Sequence, residues 1–221
     1  SKYNTIYESL NPRPHQTQSM FKFVVDEAEK IRPKVILEIG QANCGSLRFW
    51  EELLLNNGFY DGLIISVELM EGQIMSWDWK HSAITIRTVF GNSNSTEVKE
   101  RVSKILEGRQ VDWLFIDGGH RDEVPEGDFN NYSPFVRMEG LICIADIGEA
   151  CAASTFLQLP NERYVDSDVG MSFWKKDREM IVKNCKELGY SENDKSGLHM
   201  RVLKQYHVSY MDKNKADNLW K

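Results

Sequence analysis

The chemistry this chain can be read to offer is concentrated in one ten-residue stretch. Val111-Asp112-Trp113-Leu114-Phe115-Ile116-Asp117-Gly118-Gly119-His120 has the pattern of a buried strand that ends in an acid, two glycines and a histidine. Such a junction, where a buried strand meets a flexible turn, is where α/β proteins place reactive groups. Asp117 can hold a metal or a cationic ligand there. His120, three residues on, can transfer a proton near neutral pH. The bland alternative is a strand that meets water through an Asp-Gly turn.

A second candidate lies earlier, in Glu38-Ile39-Gly40-Gln41-Ala42-Asn43-Cys44-Gly45-Ser46. Gly40 permits a tight turn and Gly45 a close backbone approach, and a helix N-terminus just beyond can receive a polar ligand group. The dinucleotide pattern fails here, because Ala42 stands where the middle glycine belongs and the spacing differs. A phosphate-binding Walker loop fails too, for want of Gly-Lys-Ser/Thr. An ordinary strand-to-helix turn is the alternative. Glu68 closes the next apolar run. A carboxylate that far beyond a glycine loop can accept hydrogen bonds from both hydroxyls of a ribose, or it is simply a solvated acid at a strand end.

These residues need elements to position them. Apolar runs at Val35–Ile39, Leu63–Val67, Val111–Ile116 and Leu141–Ile144 read as buried strands. Ala83–Phe90 alternates like a strand, and Gly170–Trp174 reads as a late one. Helical spacing marks 16–31, 46–55 and 96–108, with a further helix over Asp122–Val136 starting near Pro125. Strands alternating with helices predict an α/β fold: a mostly parallel sheet with helices on both faces. Parallel strands put their C-terminal ends along one edge. Glu38, Glu68, Asp117 and Asp146 are therefore expected to converge on one crevice. Met180–Leu188 suggests a helix and Met200–Tyr210 a strand or helix. That charged tail reads as a docking arm or a homo-oligomer contact.

Composition narrows the class. The 221 residues suffice for one large domain with a full core, and the net charge of -6 argues against nucleic acid as the main partner. Cys44, Cys143, Cys151 and Cys185 lack zinc-site spacing and read as buried thiols of a reducing, cytoplasmic compartment. No apolar run approaches bilayer length, so no membrane partner is expected. The first fourteen residues hold no apolar signal core, and the opening without Met reads as trimming or an engineered boundary. His15, His81, His199 and His207 have no partner pattern. Asp166 and Asp168 read as turn acids.

Taken in order, five segments resemble the class I S-adenosylmethionine-dependent methyltransferases: Val35–Ser46, Ile65–Glu68, Gly91–Ser93, Asp112–His120 and Tyr132–Asp146. The Asp117-Gly118-Gly119-His120 turn, then Tyr132-Ser133-Pro134 and Gly140-Leu141-Ile142 before Asp146, is similar to a narrower group. That group holds the cephalosporin-hydroxylase-like, rhamnosyl and macrolide-sugar O-methyltransferases. The resemblance spans roughly residues 16–176. It implies a Rossmann-like methyltransferase domain over 1–176, with 1–15 as an N-terminal arm, and a C-terminal extension, 177–221, packed on the same domain. The sheet would have seven strands, one of them antiparallel near an edge.

The resemblance also implies roles. Glu38, Gly40 and Gly45 would surround the methionine part of S-adenosylmethionine, Glu68 would hold its ribose, and Asn92 and Ser93 would lie near the adenine. The family more often has Asp where Asn92 stands. Trp77 and Trp79 would cover the adenine, form a lid, or pack on a helix. Asp117, also beside the cofactor, and Asp146 would bind Mg²⁺. His120 would take the proton of a small-molecule hydroxyl, on a sugar, polyol or catechol-like acceptor, as its oxygen attacks the methyl group. One departure stands out: Ala145 and Ile147 occupy positions where relatives carry a further metal ligand. The metal would then be bound weakly, completed by Glu149 or water, or lost. Two rival readings are a catalytically silent cofactor-binding module and a nucleotide-dependent oxidoreductase.

Overall fold

The computed structural model describes residues 2–11, 13–14, 28–70, 82–119, 124–145, 162–166, 171–175 and 205–206. After α1 (Lys2–Ser9) the chain runs β1 (Val35–Ile39), α2 (Gly45–Asn56), β2 (Leu63–Glu68), β3 (Thr85–Phe90), α3 (Thr96–Leu106), β4 (Val111–Ile116), α4 (Val124–Tyr132) and β5 (Val136–Ile144). β6 (Glu162–Asp166), β7 (Met171–Lys175) and β8 (Gln205–Tyr206) follow. All eight strands form one sheet in the order β3-β2-β1-β4-β5-β7-β6-β8. The first five pair in parallel, while β7 runs antiparallel to both β5 and β6. The expected seven strands with one reversed near the edge are present, and the two-residue β8 adds to β6.

Period-two alternation explains the two cores. Val35, Leu37 and Ile39 face α3 and α4, in a cluster with Val98, Val102 and Tyr132. Ile36 faces the other way, toward α1 and α2, in a cluster with Trp50, Leu53 and Phe115. Central strands covered on both faces are buried throughout, which is why β1 and β2 read as near-continuous apolar runs, interrupted by Glu38 and Ser66 and closed by Glu68. β3, at the edge, is buried only at Ile86 and Val89, one on each face. α2 presents Leu47, Trp50, Leu53 and Leu54 inward, as its spacing predicts. α3 starts at Ser95, whose side chain accepts from the Val98 amide.

Three expectations need correction. The helix expected over Asp122–Val136 stops at Tyr132, and a 3-10 turn, Ser133–Phe135, takes over at Pro134. Proline offers no N–H to continue the α ladder. The strand expected from Leu141 opens five residues earlier, at Val136. Its added residues alternate apolar and polar instead of continuing the apolar run, with Met138 and Glu139 exposed, and Arg137 pairs with Asp112 across the register shift. Asp112 also accepts from the amides of Lys34 and Val35, at 2.8 and 2.9 Å, and so ties down the start of β1. Finally, the N-terminal arm contains a helix, α1, and β6 was not foreseen. Of the helix expected over 16–31, only 28–31 is described, and it is helical. The expected helix at Met180–Leu188 lies outside the described residues. Among the described residues no helix is long and apolar enough to cross a membrane.

Candidate functional site

The loops that follow β1, β4 and β3 are each stitched to the C-terminal end of a neighbouring strand. The Gly40 amide donates to the Val67 carbonyl at 2.8 Å, Asp117 to Ile39 at 2.8 Å, and Gly91 to Glu68 at 2.9 Å. The parallel ladder therefore continues one residue past each strand and fixes where the loops begin. Between them lies a cavity of about 410 Å³. Gly40 and Ala42, Glu68 and Leu69, Asn92 and Ser93, and Asp117 to Gly119 contribute to its wall.

Gly40 has φ +89°, and a Cβ there would sit 2.3 Å from the Asp117 carbonyl oxygen. Only glycine lets these two strand ends meet. At Gly45 the close approach expected from the sequence comes from the chain itself: a Cβ would lie 2.3 Å from the Arg13 carbonyl carbon. Asn43 fastens that segment by donating to the Arg13 carbonyl at 2.9 Å, while its own Oδ1 accepts from the Gly45 amide. Ala42 and Cys44 hold φ values of +42° and +65°, where side chains are strained.

The two glutamates diverge. Glu68 lies on the cavity, almost buried. Its Oε2 accepts from the Gln41 and Ala42 amides, both at 3.1 Å, and its Oε1 from the Leu69 amide at 2.7 Å. The crevice expected to gather four acids does not receive Glu38. As an even member of β1, Glu38 faces α2, where Ser46 Oγ and Trp50 Nε1 donate to its carboxyl, the latter at 3.0 Å. It is fully buried, and burial pushes its pKa up to about 8 against those two hydrogen bonds. Gln41 is also buried; its Oε1 accepts from Ser66 Oγ at 2.5 Å and Thr88 Oγ1 at 3.1 Å, so it braces the loop from below. Burial and the Asp117 charge push the Cys143 thiol well up, which leaves it inert.

Of the residues singled out by sequence, Gly40, Glu68, Asn92, Ser93 and Asp117 meet at this cavity. Glu38 and Gly45 support it from outside. His120, Asp146, Ile147, Glu149, Trp77 and Trp79 lie outside the described residues. Ala145 is buried and offers no donor to a metal. Among the described residues no three His, Cys, Asp or Glu side chains come together. Sequence reasoning passed over Gly127 and Asp128 of α4, which hold the loop carrying Asn92 and Ser93. A glycine and an acid inside a short helix were the available signal.

A crevice of this size at the strand ends, with a rim carboxylate, an amide and a hydroxyl along one side and a glycine floor, fits an elongated polar ligand containing a ribose. Residues 37–147 match a family model described as a methyltransferase domain. No curated protein sequence matches the chain. Among solved structures, the chain is similar to MycE, a methyltransferase of the mycinamycin biosynthetic pathway solved with Mg, S-adenosylhomocysteine and mycinamycin VI. The two are 20% identical over 80% of this chain and 54% of that one, with a TM-score of 0.58. An O-methyltransferase from Bacillus cereus, solved with S-adenosylhomocysteine, is 13% identical over 79% and 89% of the chains, with a TM-score of 0.56. CalS11, a TDP-rhamnose 3'-O-methyltransferase of calicheamicin biosynthesis, is 11% identical over 73% and 81%, with a TM-score of 0.54. At these identities the likeness is one of fold. The chain spans about half the length of MycE.

Proposed function

Since this chain belongs to the methyltransferase-domain family, we propose that it transfers the methyl group of S-adenosylmethionine to a hydroxyl of a small molecule: a sugar, polyol or catechol-like acceptor. The observation that carries the reading is the meeting of Gly40, Glu68, Asn92, Ser93 and Asp117 around one cavity at the strand ends. In this reading the loop from Gly40 holds the methionine part, Glu68 the ribose, and Asn92 with Ser93 the adenine. Both Glu68 oxygens already accept backbone amides, Oε2 from Gln41 and Ala42 and Oε1 from Leu69 and Met70, and these hold the carboxylate at the rim where a ribose hydroxyl would meet it.

S-adenosylmethionine supplies a methyl group already activated by positive sulfur. The protein's own work is then chiefly to hold and orient. His120 is assigned the acceptor proton. Asp117 and Asp146 would hold Mg²⁺, a cation that prefers oxygen ligands. A metal held there would orient the acceptor and lower its hydroxyl pKa.

Calorimetric titration with S-adenosylhomocysteine tests the reading. It is run with Mg²⁺ and with a chelator, with and without a sugar or catechol acceptor. Micromolar binding supports the cofactor assignment, and an acceptor term lost to chelator supports the metal. Binding without methyl transfer to any acceptor leaves a silent cofactor binder. Absence of binding overturns the proposal.

A further inference from the structure

The loop between β3 and α3 carries Asn92 and Ser93 to the cavity wall, but α4 holds it in place. Asn94 Nδ2 donates to Asp128 Oδ1 at 2.9 Å. The Tyr132 hydroxyl donates to the Ser93 carbonyl at 2.8 Å, and Asn131 Nδ2 reaches the same oxygen at 3.4 Å. Asp128 is fully buried. Its Oδ2 lies beneath the turn after β4, where a Cβ on Gly118 would sit 3.4 Å away. A Cβ on Gly127 would overlap Asn94 Oδ1 at 1.4 Å and meet only that side chain, so a side chain fits there only if Asn94 moves away.

Two costs fall on the same spot. Glycine inside a helix lowers its propensity, and a buried carboxylate is desolvated. Burial pushes the Asp128 pKa up to about 6, opposed by the Ser93 hydroxyl. Neither residue lines the cavity. What both do is meet the Asn94 amide, between two residues of the wall and the helix behind them.

We propose that Gly127, Asp128 and Asn94 form a latch that sets the base end of the cofactor cavity. Asp128 and Asn94 are positioning residues for the adenine half of the ligand and act through Asn92 and Ser93. The latch rests on the cofactor reading above.

Gly127→Ala is the decisive variant. Its new methyl meets the end of one flexible side chain, so the helix folds while Asn94 is pushed off Asp128. Dissociation constants for S-adenosylhomocysteine and for adenosine are measured in wild type, Gly127→Ala, Asn94→Ala and Asp128→Asn, with Val102→Ala as a core control. Gly127→Ala and Asn94→Ala weaken both ligands by the same factor, about tenfold. Asp128→Asn, whose carbonyl still accepts from Asn94, stays within about threefold. Gly127→Ala keeps its Tm, and Val102→Ala lowers Tm with both constants unmoved. Wild-type affinity in Gly127→Ala overturns the latch, as does a loss seen with S-adenosylhomocysteine but not adenosine. A wild type that binds neither ligand overturns the cofactor reading and the latch with it.

Discussion

Glu38 and Glu68 lie near the C-terminal ends of neighbouring strands, with α2 between them in the chain, and they do opposite things. Glu68 opens on the cavity and gathers four backbone amides, from Gln41, Ala42, Leu69 and Met70. Glu38 is sealed against α2, beside Ser46 and Trp50. The first holds the loop from the side a ligand would enter; the second joins the strand before the loop to the helix after it. The difference comes from position along the strand, since pleating puts both residues on one face. β1 pairs Glu38 with Ser66, two residues short of Glu68. Glu38 thus lies under α2, whereas Glu68 is the last residue of its strand and its carboxylate can turn to the rim. Residue type near a strand end therefore does not define a ligand contact; the distance from the rim does.

Removing Glu38 should break this comparison most severely. Glu38→Ala leaves a buried void and strands the Trp50 N–H, costing about 3 kcal/mol by denaturant unfolding. Glu38→Gln keeps shape and both polar partners and should cost less than about 1 kcal/mol. If Glu38→Ala instead leaves stability intact and abolishes S-adenosylhomocysteine binding, Glu38 is a ligand contact and the contrast fails.

The same pair separates by ligand affinity. Glu68→Ala deprives the Gln41 and Ala42 amides of their acceptor and removes the rim carboxylate. Its expected signature is a 10- to 100-fold rise in the S-adenosylhomocysteine dissociation constant, roughly 1.4–2.7 kcal/mol, with little loss of Tm. A large Tm loss at unchanged affinity would make Glu68 a second Glu38.

Titration gives a smaller, graded test. Glu38 rises from its ordinary value of 4.5 to about 8 because burial disfavours its charge. Between those values the folded state keeps a proton that the unfolded state has released. The contribution is full below 4.5, declines as pH rises, and is gone above 8, with a slope of up to ~1.4 kcal/mol per pH unit. Urea unfolding from pH 5 to 8.5 should show that fall in wild type and a flatter profile in Glu38→Gln. Identical profiles would place the titration elsewhere.

Much of this was legible in the sequence. The strand runs at Val35, Leu63 and Val111 betray themselves because central strands must be apolar on both faces. The gathering of Gly40, Glu68, Asn92, Ser93 and Asp117 follows from parallel strands sharing one edge. The missed features share a cause: they depend on what lies across the fold. The side Glu38 faces depends on register. Gly45 reads as room for a ligand until the Arg13 segment fills that room. Gly127 is a weak helix residue until Asn94 is seen beside it. β5 begins in a short alternating stretch, Val136 to Glu139, that stands apart from the apolar run after Gly140.

The smallest effect concerns the strain in the glycine loop. Ala42 sits at φ +42°, and its amide is one of the two held by Glu68 Oε2. An alanine there pays about 1 kcal/mol that glycine avoids, although glycine gives part of it back through unfolded-chain entropy. Ala42→Gly should therefore stabilise by under ~1 kcal/mol. The informative measurement is the double variant. If the Glu68 carboxylate is what holds Ala42 in the left-handed region, the loop relaxes once that acceptor is gone. Ala42→Gly then gains nothing in a Glu68→Ala background, and the two changes fail to add. Full additivity would mean that Gly40 and the strand ends impose the conformation on their own. The rim glutamate would then touch the loop without shaping it, and its role would narrow to the ligand alone.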